Sequence, residues 1–349
     1  MSQTIINGDS AEILKQFSSN TIDAVVTDPP YGIEFLGKDW DKNTGAREIW
    51  RECLRVLKPG GHLLAFSAAR TYHNLATNIE SVGFEIRDQI MWIYSSGFPK
   101  AQQIPTHPGW KTCLKPAHEP VVMARKRLQG SCRDNMVTHG VGALNIDASR
   151  IPYEDQQDLD TYVNNIKGPL ERSTAKAGDN VGMFGGKTGF RVQRGRVKDA
   201  GKINPCIPRA GRRTASFSFG DKATQSGGDG SPEFVPNEQG RFPSNVIGEV
   251  EGYQKYFYCP KVSKTERHRG TDNNHPTVKP VELMKYLVRL VTPAEAHILD
   301  PFAGSGSTGM ACRELGRQFT GIELDANYCD IARRRIAATK MDPKNRLFE

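Results

Sequence analysis

Apolar positions alternate between strand-like and helix-like spacing over the first hundred or so residues. Short β-branched or aliphatic runs are followed by segments in which apolar residues recur every three or four positions. Lys58-Pro59-Gly60-Gly61 supplies the Pro and Gly typical of a helix stop, so the second helix is predicted to end there. The predicted strands are Thr4–Asn7, Ile22–Thr27, His62–Phe66 and Phe84–Tyr94, and the predicted helices are Ala11–Phe17, Arg47–Leu57 and Thr71–Glu80.

The same alternation returns in the C-terminal part of the chain, where Gly316 marks the end of a helix. Repeated β-α-β units with short links predict an α/β fold, a doubly wound and mostly parallel sheet covered by helices on both faces. The predicted helices are Val281–Val291, Ser307–Leu315 and Asn327–Ala338, and the predicted strands are Ala296–Asp300 and Gln318–Glu323.

The middle of the chain does not follow this pattern. Residues 163–238 are rich in Gly, Ser, Lys and Arg, and stretches such as GMFGGKTGF and QSGGDGSPEF cannot supply a hydrophobic core. We therefore expect an insertion that is partly mobile without its ligand. The two flanking parts are expected to form one α/β domain.

The positive charge is concentrated in this insertion. Residues 164–213 contain twelve Lys or Arg and three acidic residues, a surplus of +9, whereas the whole chain carries +8. A basic segment of this kind predicts a polyanionic partner such as nucleic acid. On charge alone, a solvated basic loop remains the alternative.

The overall composition is that of a soluble globular protein, with 37% hydrophobic and 25% charged residues. No apolar run approaches the roughly 20 residues of a membrane helix, and the N-terminus lacks a secretory signal pattern. We therefore expect a cytoplasmic protein. The seven cysteines are irregularly spaced and form no C-x-x-C pair, which predicts neither a disulfide framework nor a metal site.

A glycine-rich loop is predicted between a strand and a helix at Asp300-Pro301-Phe302-Ala303-Gly304-Ser305-Gly306-Ser307-Thr308. Glycines let the backbone approach a ligand closely, and the helix N-terminus offers unpaired N–H groups. Glu323 ends the next predicted strand, where an acid binds ribose hydroxyls in nucleotide-binding α/β folds. The loop lacks the Lys of a phosphate-binding loop, so a phosphate-free nucleoside fits better than a nucleotide. A tight structural turn is the alternative.

A second motif, Asp28-Pro29-Pro30-Tyr31, follows the predicted strand Ile22–Thr27. The carboxyl ends of parallel strands line the active sites of such folds. Asp28 can accept a hydrogen bond from an amine, and the two prolines leave the Pro29 carbonyl free to face a ligand. Tyr31 offers a flat ring on which a base can stack. A proline-rich loop with a buried tyrosine is the alternative.

Together the two motifs resemble the DNA amino-methyltransferases, which pair a (D/N/S)PP(Y/F) catalytic motif with an FxGxG cofactor loop. Their order here, DPPY first and the loop last, resembles the β-class, a circularly permuted form of the methyltransferase fold. Supporting similarities lie at Asn7-Gly8-Asp9-Ser10, at His275-Pro276-Thr277-Val278-Lys279-Pro280, and at Gly321-Ile322-Glu323 with Tyr328. LKPAHEPVVMARK and RFPSNVI resemble methyltransferases of phages and prophages. The resemblance covers roughly residues 1–125 and 241–340.

This resemblance implies an S-adenosyl-L-methionine-dependent enzyme that methylates the N6 amine of an adenine flipped out of DNA. It implies a catalytic half at 1–125, an insertion for DNA recognition at 126–245 and a cofactor-binding half at 246–349. Asp28, Pro29, Pro30 and Tyr31 would form the target-base site. Phe302, Gly304 and Gly306, with Asp300 and Ser305 in the same loop, would cradle the cofactor, Glu323 would hold its ribose, Asp9 would approach its adenine, and Thr277 and Lys279 would contact its methionine carboxylate.

Other activities remain open at this stage. Cytosine-N4 methylation uses the same chemistry but would be favoured by Ser at Asp28, and RNA or protein-amide methylation more often has Asn there. An NAD-dependent oxidoreductase would leave DPPY unexplained. A non-catalytic nucleic-acid-binding module would leave both motifs unexplained. No nuclease motif is visible in the chain. The sequence therefore does not indicate whether the protein works with a restriction nuclease, as in a restriction-modification system, or without one, as an orphan methyltransferase.

The basic insertion also bears on specificity. The cations expected to contact DNA are Arg191, Arg194, Arg196, Lys198, Arg212 and Arg213. A glycine-rich basic segment suits phosphate contacts, which bind any sequence, so we hypothesise relaxed sequence specificity. The rival hypothesis is that the insertion folds on DNA and then reads bases.

Overall fold

The computed structural model describes residues 2–33, 43–94, 97, 101–163, 237–248 and 261–342. The chain divides into two compact units, one made of Met1–Ile151 and Phe242–Glu349, the other of Pro152–Arg241. Residues 126–151, grouped with the insertion on sequence grounds, thus belong to the first unit. Among the described residues, no helix is long and apolar enough to cross a membrane.

The first unit is built on one eight-stranded sheet with the strand order β1-β8-β7-β2-β3-β5-β4-β6. Seven strands run in the same direction, and β5 lies antiparallel between β3 and β4. This confirms the doubly wound, mostly parallel α/β fold. The strands are β1 Gln3–Asn7, β2 Ile22–Thr27, β3 Leu57–Phe66, β4 Glu85–Ile93, β5 His118–Arg125, β6 Val246–Gly248, β7 His297–Asp300 and β8 Gln318–Glu323.

Helices cover both faces of this sheet. Because successive strand residues point to opposite faces, Val26 and Val25 of β2 belong to two different cores. The core around Val26 includes residues of the helices Val281–Val291 and Ser307–Glu314, whereas the core around Val25 includes residues of the helices Ser10–Leu14, Arg47–Val56 and Tyr72–Ser81. The helices are α1 Ser10–Leu14, α2 Arg47–Val56, α3 Tyr72–Ser81, α4 Cys132–His139, α5 Lys264–Arg267, α6 Val281–Val291, α7 Ser307–Glu314 and α8 Ala326–Ala337.

Several predicted boundaries differ from the structure by one to three residues, and the start of β3 differs by five. The helix α2 ends at Val56, one residue before its predicted end, but β3 begins at Leu57 rather than at His62, so that residues 58–61 lie inside the strand. Gly60 adopts a φ of 79°, and a Cβ there would lie 2.3 Å from the Asn135 side-chain nitrogen. The pairing of β3 with β2 shifts register nearby. The Pro-Gly-Gly run is therefore accommodated as an irregularity within the strand.

Four further labelled elements had no counterpart in the sequence prediction, namely β5, α4, β6 and α5. The most consequential is β5, which is buried at its centre and pairs with both β3 and β4. Since β5 is antiparallel to its neighbours, its first residues lie at the edge where the parallel strands end. We call this the carboxyl edge of the sheet.

In the second unit, the described residues are 152–163 and 237–241. Residues 156–163 are helical. Arg241 forms an ion pair with Asp158, and its guanidinium carbon lies 5.2 Å from the centroid of the Tyr153 ring and 5.8 Å from that of Tyr162. The basic segment 164–213 lies outside the described residues.

Candidate functional site

The two sequence motifs meet at the carboxyl edge. β2 and β7 are adjacent and parallel, with Val25 opposite Leu299, so the residues that follow each strand emerge side by side. The Thr27 hydroxyl donates a hydrogen bond of 2.6 Å to Asp300 Oδ1. The structure therefore joins the end of the DPPY strand directly to the start of the glycine-rich loop.

Asp300 organises that loop from the inside. Besides the Thr27 hydroxyl, its carboxylate accepts hydrogen bonds from the Phe302 amide at 3.1 Å and from the Thr308 hydroxyl at 2.7 Å. Burial raises the pKa of Asp300 to about 6, even though these hydrogen bonds lower it. The surfaces that the loop offers to a ligand are therefore those of the residues after Asp300.

Glu323, at the end of β8, closes one side of the loop. Its Oε2 accepts from the Gly304 amide at 2.8 Å and its Oε1 from the Asp325 amide at 2.9 Å. Gly304 has a φ of 51°, and a Cβ there would lie 3.0 Å from the His275 ring. A carboxylate has about four acceptor positions, so Glu323 retains capacity to accept from a ligand hydroxyl. The arrangement fits a ribose.

The N-terminal turn packs against the same loop. The Ser10 hydroxyl donates to the Pro301 carbonyl at 2.5 Å, and the Gly8 amide donates to the Glu323 carbonyl at 3.0 Å. Asp9 lies between them and caps α1, where its Oδ1 accepts from two backbone amides. The structure thus brings Asp9 to the glycine-rich loop, and its approach to the cofactor's adenine stays a prediction.

Phe302 is supported from behind by an aromatic residue of α2. The rings of Phe302 and Trp50 lie 5.7 Å apart, centroid to centroid, and are tilted by 49°. Trp50 is fully buried, whereas Phe302 is partly exposed. Trp50 therefore fixes the position of the side chain that the loop presents.

A cluster of four polar side chains surrounds the DPPY motif. The Tyr31 hydroxyl lies 2.8 Å from Asp28 Oδ1 and 3.0 Å from Glu119 Oε2, so its single proton can be donated to either carboxylate. Lys279 Nζ lies 2.5 Å from Asp28 Oδ2, 3.4 Å from Glu119 Oε2 and 3.0 Å from the Tyr31 hydroxyl. Its ammonium also lies 4.9 Å from the centroid of the Phe66 ring. Two carboxylates therefore share one ammonium and one phenol.

The electrostatics of this cluster fix its protonation states. Burial lowers the pKa of Lys279, but Asp28 and Glu119 raise it more, so that the net shift is upward. Burial, then Asp28 and Glu119, raise the pKa of Tyr31 well above its ordinary value. Lys279 is therefore a cation and Tyr31 a neutral hydrogen-bond donor at neutral pH.

His275 occupies the space between the loop and α8. Its ring packs edge-on against the Tyr328 ring, with centroids 4.4 Å apart. Its Nδ1 is in contact with the Thr277 backbone. Burial lowers the pKa of His275 to about 4, although the Thr277 carbonyl raises it, so the ring is neutral at neutral pH.

The chain from residue 22 to residue 334 matches the DNA methylase family model N6_N4_Mtase. It belongs to the DNA methylase family. The chain is similar to the type II methyltransferase M.HindIII of Haemophilus influenzae, with 24% identity over 97% of each protein. It is also similar to the DNA adenine methyltransferase YhdJ of Escherichia coli, with 25% identity over 96% of this chain and 82% of that protein. A similar solved structure is PvuII DNA methyltransferase (cytosine-N4-specific), with 14% identity, coverage of 96% and 86%, and a TM-score of 0.48.

Membership of the family confirms the resemblance noted in the sequence, and with it the S-adenosylmethionine cofactor. The family name spans N6 and N4 amines, so the family does not decide between adenine and cytosine.

Most of the predicted site residues of this DNA methylase lie at the carboxyl edge. Lys279, however, pairs with Asp28 rather than standing free for a carboxylate ligand. Ser305 is buried, and Arg335 donates to both its carbonyl and its hydroxyl oxygen. The roles inferred for these residues from the family remain predictions. The predicted DNA contacts Arg191, Arg194, Arg196, Lys198, Arg212 and Arg213 lie outside the described residues.

Three contributors to the methylase site were missed in the sequence, namely Ser10, Trp50 and Glu119. Trp50 had been placed only by helical periodicity, and Ser10 only as a neighbour of Asp9. Glu119 lies within LKPAHEPVVMARK, which was noted only as resembling methyltransferases; no role was assigned to it, because its strand was not predicted and its partners lie far away in the chain.

Proposed function

We propose that this DNA methylase transfers a methyl group from S-adenosylmethionine to the exocyclic N6 amine of adenine in DNA. The observation that carries the proposal is the junction between Thr27 and Asp300, which sets Asp28 beside the cofactor loop. An acceptor for an amine and a cradle for a nucleoside are thus adjacent. The Asp of the DPPY motif and the similarity to an adenine methyltransferase support adenine over cytosine.

The cofactor site would use residues whose geometry suits a nucleoside. Phe302, Gly304 and Gly306 would line it, and Glu323 would accept two ribose hydroxyls. Asp9 would approach the cofactor's adenine from the N-terminal turn. Asp300 and Ser305 would hold the loop in shape, and Thr277 and Lys279 would approach the methionine end. When bound, S-adenosylmethionine supplies a methyl group on a positively charged sulfur.

The protein's task is to make the target amine reactive. The lone pair of that nitrogen is delocalised into the base, so the free amine is a poor nucleophile. Asp28 and the Pro29 carbonyl would each accept one N–H, which localises the lone pair and directs it at the methyl group. The nitrogen becomes positive as it is methylated. The negative charge of Asp28 and the dipole of the Pro29 carbonyl, both already in position, would stabilise that positive charge. Asp28 would accept the proton that the nitrogen then releases.

The target base must leave the duplex to reach this pocket, because its amine is otherwise enclosed by stacking and pairing. Tyr31 would stack on the flipped base. The two carboxylates that hold its hydroxyl fix the orientation of the ring. Pro30 would restrict the backbone between the acceptor and the ring.

The basic segment within residues 126–245 would bind the DNA backbone. Its surplus of +9 over residues 164–213 suits phosphate contacts, which carry no sequence information. We include relaxed sequence specificity in the proposal on this basis. The flanking halves, 1–125 and 246–349, would supply the target-base and cofactor sites.

Nucleoside analysis tests the proposal. The protein is incubated with duplex DNA and S-adenosylmethionine that carries a deuterated methyl group, and the digested nucleosides are measured by mass spectrometry. The expected product is labelled N6-methyldeoxyadenosine. Labelled N4-methyldeoxycytidine would overturn the choice of base, and label in neither nucleoside would overturn DNA amine methylation.

A further inference from the structure

Glu119 stands inside the target-base cluster although neither motif contains it. It lies near the start of β5, and the reversed direction of that strand delivers it to the carboxyl edge. Its Oε2 lies 3.0 Å from the Tyr31 hydroxyl and 3.4 Å from Lys279 Nζ, and its Oε1 lies 3.4 Å from the Tyr94 hydroxyl. Glu119 thus contacts both groups that occupy Asp28.

The occupied state of Asp28 poses a problem for the proposed reaction. One carboxylate oxygen accepts from Tyr31 and the other is paired with Lys279. Each oxygen still has a spare acceptor position, but an ammonium in contact with Asp28 offsets its negative charge. The target nitrogen becomes positive during transfer and is stabilised by an uncompensated carboxylate. The ammonium must therefore be drawn off Asp28 for the site to work well.

We propose that Glu119 is a positioning residue that takes over the Lys279 ammonium and the Tyr31 hydroxyl when the target amine reaches Asp28. The inference rests on the proposed function. In the structure Lys279 Nζ is 2.5 Å from one carboxylate and 3.4 Å from the other, so a small movement exchanges its partner. The Tyr31 hydroxyl already lies within hydrogen-bond distance of both acids, so its proton can pass from one acceptor to the other by rotation of the O–H bond.

Burial makes the second acid necessary. The Lys279 side chain is only 7% exposed, so its charge cannot move into water when it leaves Asp28. A buried cation without a partner is strongly unfavourable. Glu119 supplies that partner within the cluster, and Tyr94 helps to hold its carboxylate. With two carboxylates and one ammonium, the cluster keeps one net negative charge for the developing cation.

The first experiment compares Glu119→Gln with the wild type in single-turnover methylation. Gln retains the shape of the side chain and an acceptor oxygen but not the charge, so Lys279 would stay on Asp28. We expect the rate of transfer to fall roughly 10- to 100-fold, while the Kd for S-adenosylmethionine changes less than about twofold. Glu119→Asp should recover part of the rate because it restores the charge. Glu80→Gln, an exposed change on α3, is the control and should match the wild type.

A double mutant separates this role from a structural one. If Glu119 acts by drawing off the ammonium, then Glu119→Gln should cost much less in a Lys279→Met background than in the wild type. An equal loss in both backgrounds, or an unchanged rate in Glu119→Gln, would overturn the inference. Thermal unfolding confirms that each variant is folded.

The outcome can be distinguished from failure of the proposed function. If the wild type methylates cytosine, adenine is wrong, and the Glu119 comparison is made on cytosine. If the wild type methylates adenine and Glu119→Gln is as fast, only the inference about Glu119 fails.

Discussion

The Thr27 hydroxyl donates to Asp300 across 2.6 Å, and this bond links the side chains at the ends of two paired strands, one leading into the DPPY motif and the other into the glycine-rich loop. Asp300 is 2% exposed, and its other donors are the Phe302 amide and the Thr308 hydroxyl, both within the loop or its helix. Thr27 therefore adds a side-chain contact from outside the loop to the backbone pairing of β2 with β7.

Thr27→Val should lower the free energy of unfolding by about 1–3 kcal/mol, because a buried carboxylate loses a donor while the side-chain volume is kept. Urea denaturation measures the change. Thr21→Val is the matched control, since the Thr21 hydroxyl is exposed and bonds only to the nearby Ser18 carbonyl. Its effect should stay within about 0.5 kcal/mol. Equal losses of unfolding free energy in the two variants would show that the hydrogen bond from Thr27 to Asp300 stabilises the protein no more than an exposed hydroxyl does.

Phe302→Ala and Glu323→Ala should each weaken cofactor binding. The first removes a packing surface, and the second leaves two ribose hydroxyls without acceptors, at a cost of about 1–3 kcal/mol. Calorimetric titration with S-adenosylmethionine should show a Kd raised roughly 5- to 150-fold. Leu324→Ala is the control, because that side chain is 68% exposed and adjoins Glu323. Unchanged dissociation constants in both test variants would contradict the proposed pocket.

Asp28→Ala should abolish methyl transfer and leave cofactor binding nearly unchanged. The reason is that Asp28 faces the target amine in the proposed site, while Lys279 can still pair with Glu119. A tritium-transfer assay measures the first effect and calorimetric titration the second. Asp330→Ala serves as control, since Asp330 is an exposed acid on α8 paired only locally with Arg333. Transfer at the wild-type rate by Asp28→Ala would refute the assignment.

The parts of this site that lie next to a clear local signal could be predicted from the sequence. β2 is ended by Asp-Pro-Pro, α6 is preceded by a proline, and β8 ends at Glu323, and all three were predicted with the bounds that the structure has. The glycine-rich loop and its acid were found for the same reason. Each signal lies within a few residues of the element that it defines.

The pairing between distant residues could not be predicted. Asp28 and Lys279 are 251 positions apart, and nothing in either motif indicates that they form an ion pair. The sequence of a strand also does not show whether it runs parallel or antiparallel to its neighbours in the sheet. A buried run such as Val121–Met123 fits a parallel or an antiparallel strand equally well, so the position of Glu119 at the carboxyl edge followed only from the structure.

The stability of the protein should fall in acid partly because of His62 in β3. Burial, reinforced by Arg125 and Arg87, lowers the pKa of His62 to about 3. The unfolded chain takes up this proton near the ordinary value of 6.5, whereas the folded chain does not, so stability is lost as the pH falls from about 6.5 towards 3. The loss from this group approaches about 1.4 kcal/mol per pH unit within that window.

His62→Leu should flatten that dependence. Urea denaturation at pH 7, 6, 5 and 4 gives the slope for each protein, and the difference between slopes cancels groups common to both. Asp300 acts in the opposite sense, because its raised pKa makes stability fall as the pH rises from about 4 to 6. The exposed His73→Leu should leave the slope unchanged. Identical slopes for wild type and His62→Leu would contradict the burial argument.

Neutralising Arg191, Arg194 and Arg196 together should weaken DNA binding and reduce its dependence on salt. Each lost phosphate contact lowers the slope of log K against log salt by about 0.9, so the triple variant should lose about 3 units of slope. Titration of labelled duplex at several salt concentrations measures this. A triple alanine variant of Arg47, Arg51 and Arg334, exposed arginines of α2 and α8, is the control. An unaltered slope in the test variant would remove the basic segment from the interface.

Relaxed specificity makes a separate prediction. Exhaustive methylation of a random-sequence duplex, read adenine by adenine, should show modification in a broad spread of contexts. Confinement to one short motif at high enzyme concentration and long times would instead favour an insertion that folds on DNA and reads bases.

The reversed direction of β5 also sets where the chain between β4 and β5 begins and ends. Both ends of this connection lie at the carboxyl edge, and its sequence contains Lys100, Lys111 and Lys115 but no acidic residue between Ile93 and Glu119. Within it, Trp110 is 69% exposed and Leu114 is 90% exposed. One strand turned against its neighbours thus anchors both ends of a basic connection at the edge from which the DPPY motif emerges.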